Sequence, residues 1–457
     1  MKHAMNCSII LLLFFTNETM ADFDLGMNYY NNKNYEKAFH EFNESAQNGD
    51  HDAQFNLGVM YLKGEFTTKN MPLAYAWMKL AAQSTSYAAK GTEKKIYTKL
   101  NSSEKTKAEE TYLSIFNEYS DAKVLEKLQP NLLPVSNKKV YRIIRQKATE
   151  YPRGALYVGL SSFVDVVFSI DKDGTTKDQM IFYASNEAFI KPVIMSLRGM
   201  LFEPTTIDGK AVVTNGIRYR FIFKIANDNS FDKRKIKKQM TKMEKKASSG
   251  DSIAQFNYAY FLEVVPSLSK EIEFENPNTW YLNAAKNGSS AAAYFLGRNL
   301  INGDMCTTDP IKGTNWLIKA SQSNLSDAQY LLAIESFSGA LIPKNEEKGF
   351  FWLKQAARNY DIAKLRLAWI LATHPNKQYR DNELATEYFS KVTTNHADRQ
   401  TYYRTAAAIA ANKNDFKNAI ELQNKAVVDA KELDLPLETV NAQLASYQNN
   451  QPWREEP

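Results

Sequence analysis

The sequence predicts a mainly helical, multi-domain protein in which two arrays of helical hairpins flank a small domain of mixed α and β structure. Trp280, Trp316 and Trp352 recur every 36 residues, which indicates a helical repeat. The phrase Ala53-Gln-Phe-Asn56 returns 201 positions later as Ala254-Gln-Phe-Asn257. Between these two phrases lie stretches of strictly alternating apolar residues, which predict strands. A repeat array interrupted once by a non-repetitive insertion accounts for all three observations.

The composition is that of an ordinary globular protein. Of the 457 residues, 44% are apolar and 24% are charged, which excludes wholesale disorder. The length favours about three domains. The formal net charge of +6 is too small for this length to indicate a nucleic-acid partner.

The first 21 residues have the pattern of a secretory signal peptide. Lys2 precedes the apolar run Cys7–Phe15, and polar residues then lead to the small residue Ala21. This run is far shorter than the roughly 20 residues that a membrane span requires. We therefore expect export and cleavage after Ala21, which starts the mature chain at Asp22. Cleavage leaves Cys306 as the only cysteine, so no intramolecular disulfide is expected.

Each repeat predicts two helices. In the second helix an Ala follows the Trp by four residues, as in Trp316 and Ala320, so both side chains lie on one helix face. The small residue lets a neighbouring helix approach closely, and the indole ring fills the remaining space. Stacked helical hairpins follow from this pattern.

The repeats resemble the Sel1-like family, a variant of the tetratricopeptide repeat. The resemblance rests on the order Leu57-Gly58, Tyr61, Gly64, Ala74, Trp77 and Ala81-Ala82, and on Leu296-Gly297, Gly303, Trp316 and Ala320. Units near residues 24–46 and 402–426 are closer to plain tetratricopeptide hairpins. The resemblance implies solenoids whose surfaces bind protein partners.

The inserted segment predicts the order strand, strand, helix, strand. Residues 163–170 alternate, which indicates a half-buried strand. One face carries Val164, Val166, Phe168 and Ile170, and the other carries Asp165 and Ser169. Gly174 allows a hairpin turn, and residues 179–183 return as the second strand. Asn186 is a suitable cap for a helix, and residues 217–225 alternate again.

This insertion resembles the C-terminal domain of the TonB family. The motifs that carry the resemblance are Tyr151-Pro152, Ala155, Gly159, Phe168-Ser-Ile170, Gly174, Phe189, Phe202-Glu-Pro204, Asp208-Gly-Lys210 and Val212. The resemblance implies a sheet with an open edge that captures an extended segment of an outer-membrane receptor by strand addition. It also implies a periplasmic location.

The candidate partner-binding site is the last strand of this domain. Its inward set is expected to include Ile217, Tyr219, Phe221 and Phe223, and its outward bases Arg218, Arg220 and Lys224 are expected to favour an acidic segment. The full candidate set is Ile217, Arg218, Tyr219, Arg220, Phe221, Ile222, Phe223 and Lys224.

The predicted domains follow in order along the chain. They are a signal peptide at 1–21, Sel1-like and tetratricopeptide repeats at 22–90, a helical connector at 91–138, the TonB-like domain at 139–227, Sel1-like repeats at 228–375, tetratricopeptide-like repeats at 376–446 and a polar tail at 447–457. The apolar residues within and just after the basic segment 233–246 recur at helical spacing and form one face of a helix. The basic residues are therefore interpreted as the solvated face of that helix and not as a nucleic-acid surface.

No pattern in the sequence indicates catalysis. The mature histidines His40, His51, His374 and His396 are not within metal-ligand spacing of one another or of Cys306. Neither a phosphate-binding Gly loop nor a nucleophile elbow is present. We therefore expect a non-enzymatic protein without a metal, a cofactor or a small-molecule substrate.

Two alternatives remain for the function. The chain is a component of TonB-type energy transduction for outer-membrane transport if its apolar leader stays in the inner membrane, facing the periplasm. It is a structural scaffold if a segment of its own, near residues 139–145, covers the open sheet edge.

Overall fold

The computed structural model describes residues 22–84, 90–135, 140–225, 233–268, 272–393 and 399–457. The predicted signal peptide lies outside the described residues. Among the described helices, none has both the length and the apolar character that crossing a membrane requires.

The N-terminal part is built from two helical hairpins and three further helices. Their bounds are α1 (Phe23–Asn31), α2 (Tyr35–Gln47), α3 (His51–Lys63), α4 (Met71–Ala81), α5 (Thr92–Tyr97), α6 (Ser102–Tyr119) and α7 (Asp121–Lys127). Polar side chains define many helix starts by accepting a hydrogen bond from the first helical turn. Asn34, Asp50, Asn70 and Asn101 do so here.

The central module, residues 140–225, contains the predicted strands and helix. Its elements are β1 (Ile143–Arg145), α8 (Arg153–Tyr157), β2 (Ser162–Ile170), β3 (Thr176–Ala184), α9 (Ile190–Arg198), β4 (Leu201–Phe202), β5 (Thr205–Ile207), β6 (Lys210–Val212) and β7 (Thr214–Phe223). Strands β3, β2 and β7 form an antiparallel sheet in that order. Gly174 turns the β2–β3 hairpin with a φ of +84°, and a Cβ there would lie 2.1 Å from the Phe202 carbonyl oxygen, so only glycine fits.

The C-terminal part is a continuous series of helical hairpins. The helices are α10 (Lys233–Ala247), α11 (Ser252–Leu268), α12 (Pro277–Lys286), α13 (Ser290–Asn302), α14 (Pro310–Gln322), α15 (Ser326–Ser338), α16 (Glu346–Ala356), α17 (Asp361–Thr373), α18 (Asn382–Ser390), α19 (Arg399–Asn412), α20 (Phe416–Glu432) and α21 (Glu438–Gln448). We call α11, α13, α15, α17 and α19, the first helices of these hairpins, the A helices.

The 36-residue pattern marks the second helix of successive hairpins, as predicted. Trp316 and Trp352 are buried in α14 and α16, and Trp280 is half-buried in α12. The alanines four residues after each Trp have no exposed surface. The prediction of stacked hairpins is therefore confirmed.

The N-terminal part packs against the second helices of the C-terminal array. The indole N–H of Trp316 donates to the Leu128 carbonyl at 3.0 Å. On α2, Lys37 forms an ion pair with Glu347 of α16 at 2.8 Å. The two parts of the repeat array, far apart in sequence, form one junction.

Candidate partner-binding site

Strand β7 lies at an edge of the sheet. It pairs with β2 from Ser162 opposite Phe223 to Ile170 opposite Thr214. Strand β3 occupies the other side of β2, so β7 ends the sheet order on its side. Within the described ranges no further strand pairs with β7.

The hydrogen bonds of β2 show which backbone groups of β7 point outward. The N–H of Phe163 donates to Ser185 Oγ at 3.0 Å, and the Phe163 carbonyl accepts from the Ser185 N–H at 3.0 Å. Phe163 therefore directs its backbone toward β3. Its partner on β7 is Ile222. Two directly opposed residues of an antiparallel pair either bond to each other through both backbone groups or both point these groups away. Since Phe163 bonds to β3, the N–H and carbonyl of Ile222 point away from β2.

One face of β7 contributes to the core of the module. Ile217, Phe221 and Phe223 are buried and pack with Val193 and Leu197 of α9. This is the apolar face that the alternation predicts.

The opposite face of the sheet is also buried, which corrects the expectation of a half-buried strand. Asp165 and Ser169 of β2 are 0% and 1% exposed. Arg218 and Arg220 were expected to face solvent and attract an acidic partner, but their side chains are only 9% and 10% exposed. The physical reason is that α11 and α13 cover this face, through Tyr260 and Glu263 of α11 and Phe295 of α13. Of the three predicted outward bases, only Lys224 is exposed.

The acidic partners of the two arginines come from the same chain. Asp165 accepts from Arg218 at 2.9 Å and from Arg220 at 2.6 Å. Glu263 of α11 pairs with Arg218, whose guanidinium stacks over the Tyr260 ring at 4.6 Å. Burial opposes ionisation of Asp165, but the two guanidinium groups hold the pKa of its carboxyl below the ordinary value.

Further contacts fix the module on the array. Asn215 donates to Glu335 of α15 at 3.1 Å. Burial raises the pKa of the Glu335 carboxyl to about 7, although this hydrogen bond lowers it. At the other end of the module, Arg198 binds both oxygens of Asp429 on α20, at 2.5 and 2.6 Å. The A helices and α20 therefore hold the sheet in a fixed position.

The segment proposed as an internal cover does not pair with β7 as a strand. Residues Ile143 and Arg145 pair instead with Phe202 and Leu201 of β4. The described residues Ile143 to Arg145 therefore do not cover the β7 edge by strand pairing.

The structure also contains a cavity that the sequence does not predict. It has a volume of about 320 Å³ and lies between the module and α17. Its walls are mainly apolar, with Ile181 and Ile194 on the module side and Leu365 on α17. Asp178 and Arg366 supply charge at its lining. Because the walls come from segments remote in sequence, no local motif reveals it.

His51, His374 and Cys306 make contacts within the fold. His51 pairs with Asp121 at 3.1 Å, and His374 is buried, with its Nδ1 accepting from the Asn376 N–H at 3.0 Å. Burial raises the pKa of the Cys306 thiol to about 12. Over the part of the chain that the structure describes, no three His, Cys, Asp or Glu side chains cluster closely enough to hold a metal ion. His396 lies outside the described residues.

Comparison with known proteins identifies the repeats. The Sel1 repeat family model matches residues 51–86, 290–325 and 326–361, so the chain contains three Sel1 repeats. The described residues of these three matches lie in the hairpins α3–α4, α13–α14 and α15–α16 and in the residues that connect or follow them. Repeats of this kind generally mediate protein–protein interactions. No curated protein matches the chain.

The solved structures that match the chain include three with TM-scores below 0.5. A protective antigen of uropathogenic Escherichia coli with an SLR fold is 18% identical, with 95% of this chain and 73% of that one covered and a TM-score of 0.38. A Sel1 repeat protein from Oxalobacter formigenes is 14% identical, with 90% and 84% covered and a TM-score of 0.34. Yeast Tom70 is 16% identical, with 94% and 81% covered and a TM-score of 0.28.

Proposed function

We propose that this chain is an exported, periplasmic protein without enzymatic activity that captures an extended peptide segment at strand β7. The observation that carries the proposal is the outward direction of the Ile222 backbone at the end of the sheet. A partner strand that bonds to this N–H and carbonyl extends the sheet by one strand. The motifs of residues 139–227 and the strand order support a TonB C-terminal-like module.

The docking of the module on the repeats suits it for strand addition. Binding an extended segment costs conformational entropy, and a receptor strand that is already fixed reduces that cost. Strand β7 is fixed on one face by α9 and on the other by the ion pairs of Arg218 and Arg220. Its outer backbone edge is then the surface that remains for a partner.

The structure changes the chemistry expected of the partner. Since Asp165 and Glu263 already pair with Arg218 and Arg220, those arginines supply no attraction for an acidic segment. Main-chain hydrogen bonds provide the affinity, and a side chain beside Ile222, which is 39% exposed, adds apolar contact. We therefore expect an extended, β-branched segment.

A substitution at Ile222 tests the proposal. Proline removes the N–H donor and blocks pairing at the outer edge, whereas Ile222→Ala keeps the donor and removes only the side chain. A displayed library of extended peptides is selected on the wild-type chain, and each variant is then tested for binding. Loss of binding in Ile222→Pro with retention in Ile222→Ala supports strand addition. Equal binding by both, with circular dichroism unchanged, contradicts it.

Cell fractionation separates periplasmic capture from energy transduction. A cleaved, periplasmic protein is released with the periplasmic extract and starts at Asp22. An energy transducer that keeps its leader resists carbonate extraction and starts at Met1.

A further inference from the structure

The first described residue lies in a buried, charged junction. Asp22 precedes α1 and is 2% exposed. Its backbone N–H donates to Glu41 Oε2 of α2 at 2.8 Å. One of its own carboxylate oxygens, Oδ1, caps α1 by accepting from the Asp24 and Leu25 N–H groups at 2.9 and 3.2 Å. The backbone nitrogen of residue 22 therefore contacts a buried carboxylate.

This junction connects the two parts of the repeat array. Glu41 Oε2 also pairs with Lys348 Nζ of α16 at 3.0 Å. Glu41 is 9% exposed and Lys348 is 5% exposed, so the pair is shielded from solvent. Whatever strengthens the contacts of Glu41 also strengthens the packing of α1 and α2 against α16.

The junction contains more negative than positive charge. Among the described residues, the carboxyl groups of Asp22 and Glu41 both interact with the Lys348 ammonium, while Asp24 adds repulsion on Asp22 and His40 adds attraction on Glu41. The second carboxylate oxygen of Asp22, Oδ2, is buried and makes no hydrogen bond with the described residues. Beside it is a small cavity of about 20 Å³ lined by Asp22 and Lys348. Burial, together with the neighbouring Glu41 carboxylate, raises the pKa of the Asp22 carboxyl to about 8.

We infer that this junction is the binding site for the α-ammonium group that leader cleavage creates on Asp22. Hydrolysis of the Ala21–Asp22 peptide bond consumes one water and leaves a carboxylate on Ala21 and an amine on Asp22. That amine is largely protonated at neutral pH. The single N–H that contacts Glu41 becomes a positive group with three donors, which balances the second carboxylate and adds donors beside the unpaired oxygen.

Leader removal then completes the junction between α1, α2 and α16. An uncleaved chain keeps a neutral amide at residue 22, so the second carboxyl group lacks a positive partner and is held in its protonated form at neutral pH. The inference rests on the cleavage that the proposed function includes and is independent of peptide capture at β7. Export and final stability are coupled through the new terminus.

The test compares two purified chains that differ only in their first residue. One starts at Asp22 and the other at Ala21, each released from an N-terminal fusion by a protease that leaves no extra residue. Urea unfolding is measured at pH 7 for both, in the wild-type background and with Glu41→Gln. Exposed Glu36 on the same helix provides the matched control, Glu36→Gln.

We expect the chain that starts at Ala21 to unfold with an equilibrium constant at least about tenfold larger, since its ammonium group is displaced from Glu41. This difference disappears with Glu41→Gln and persists with Glu36→Gln. Equal stability of the two starts, or a difference that Glu41→Gln leaves unchanged, overturns the inference.

A labelling experiment gives a second readout that does not require the variants to fold. The α-amine of each wild-type chain is acylated at pH 7 and followed by peptide mass spectrometry. The buried Asp22 amine should react at least about tenfold more slowly than the Ala21 amine, because the ion pair with Glu41 lowers its unprotonated, nucleophilic fraction and burial shields it from the reagent. Equal rates contradict the site. Because no partner is present, a failure here is distinct from a failure of peptide capture.

Discussion

The substitution Asp165→Asn should destabilise the protein strongly, because it removes one negative charge from a buried ion network while keeping the shape of the side chain. Asp165 is 0% exposed and accepts from Arg218 at 2.9 Å and from Arg220 at 2.6 Å. An amide in its place leaves two buried guanidinium groups with Glu263 as the nearest remaining carboxylate.

The expected cost is about 3 to 5 kcal/mol, the range for breaking a buried ion pair by removing one partner. Each guanidinium at this distance contributes about 4 kcal/mol of attraction at an effective dielectric of about 20, part of which is offset because Asn is less costly to bury. The loss falls on the contact between the module and α11, since Glu263 and Tyr260 belong to that helix.

Urea unfolding at pH 7, followed by circular dichroism, measures this cost. Asp173→Asn is the matched control, because Asp173 is exposed in the β2–β3 turn and accepts only local hydrogen bonds from Thr175. We expect the control to lose less than about 1 kcal/mol. A loss below about 1 kcal/mol for Asp165→Asn as well would refute the assignment of the network as a fixed, buried contact.

The same substitution should change how the free energy of unfolding depends on pH under acidic conditions. The folded pKa of Asp165 lies below its ordinary value, so its stabilisation is present above about pH 4 and is lost as pH falls through the folded pKa. Wild-type stability should therefore fall below about pH 4, and Asp165→Asn should show a shallower fall.

Three further outcomes are expected. Trp316→Ala should cost about 3 to 5 kcal/mol and Trp280→Ala less, since Trp316 is 1% exposed and Trp280 is half-buried; equal urea midpoints would contradict the register. Glu335→Gln should raise stability at pH 8 by up to about 3 kcal/mol. The pKa of Glu335 is raised to about 7 in the folded protein, so wild-type stability falls as pH rises from about 4 to 7. A variant with the same pH profile as wild type would count against this. Cys306, with its pKa raised to about 12, should resist iodoacetamide at pH 8 in the folded chain, and rapid labelling would show that the thiol is accessible.

The repeats could be predicted because the residues that pack in each hairpin are close together in the sequence. Trp316 and Ala320 lie one turn apart on one helix, so the period in sequence is the period of the stacked hairpins. The same holds for the strands of the module, since the alternation of β2 and β7 identifies them, whereas the edge position of β7 was implied only by the family resemblance.

The burial of the polar sheet face could not be predicted in this way. Alternation distinguishes an apolar face from a polar face, but it does not show that α11 covers the polar one. Arg220 and Glu263 are 43 positions apart, and Asn215 and Glu335 are 120 apart. One signal in the sequence pointed to the ion network: Asp165 lies on a predicted strand, and Arg218 and Arg220 lie on another. Opposite charges on strands of one sheet can pair with each other and so need no partner from outside the chain.

The central claim is that the outer edge of β7 is open, and amide hydrogen exchange along the strand tests it most directly. In the intact mature chain, Phe221 and Phe223 should exchange slowly, because their N–H groups face β2, while the intervening Ile222 should exchange at least about tenfold faster. Addition of a selected peptide should slow Ile222 to the rate of its neighbours. Equally slow exchange at all three residues in the free protein would contradict the account, because it would mean that the outer edge is already paired.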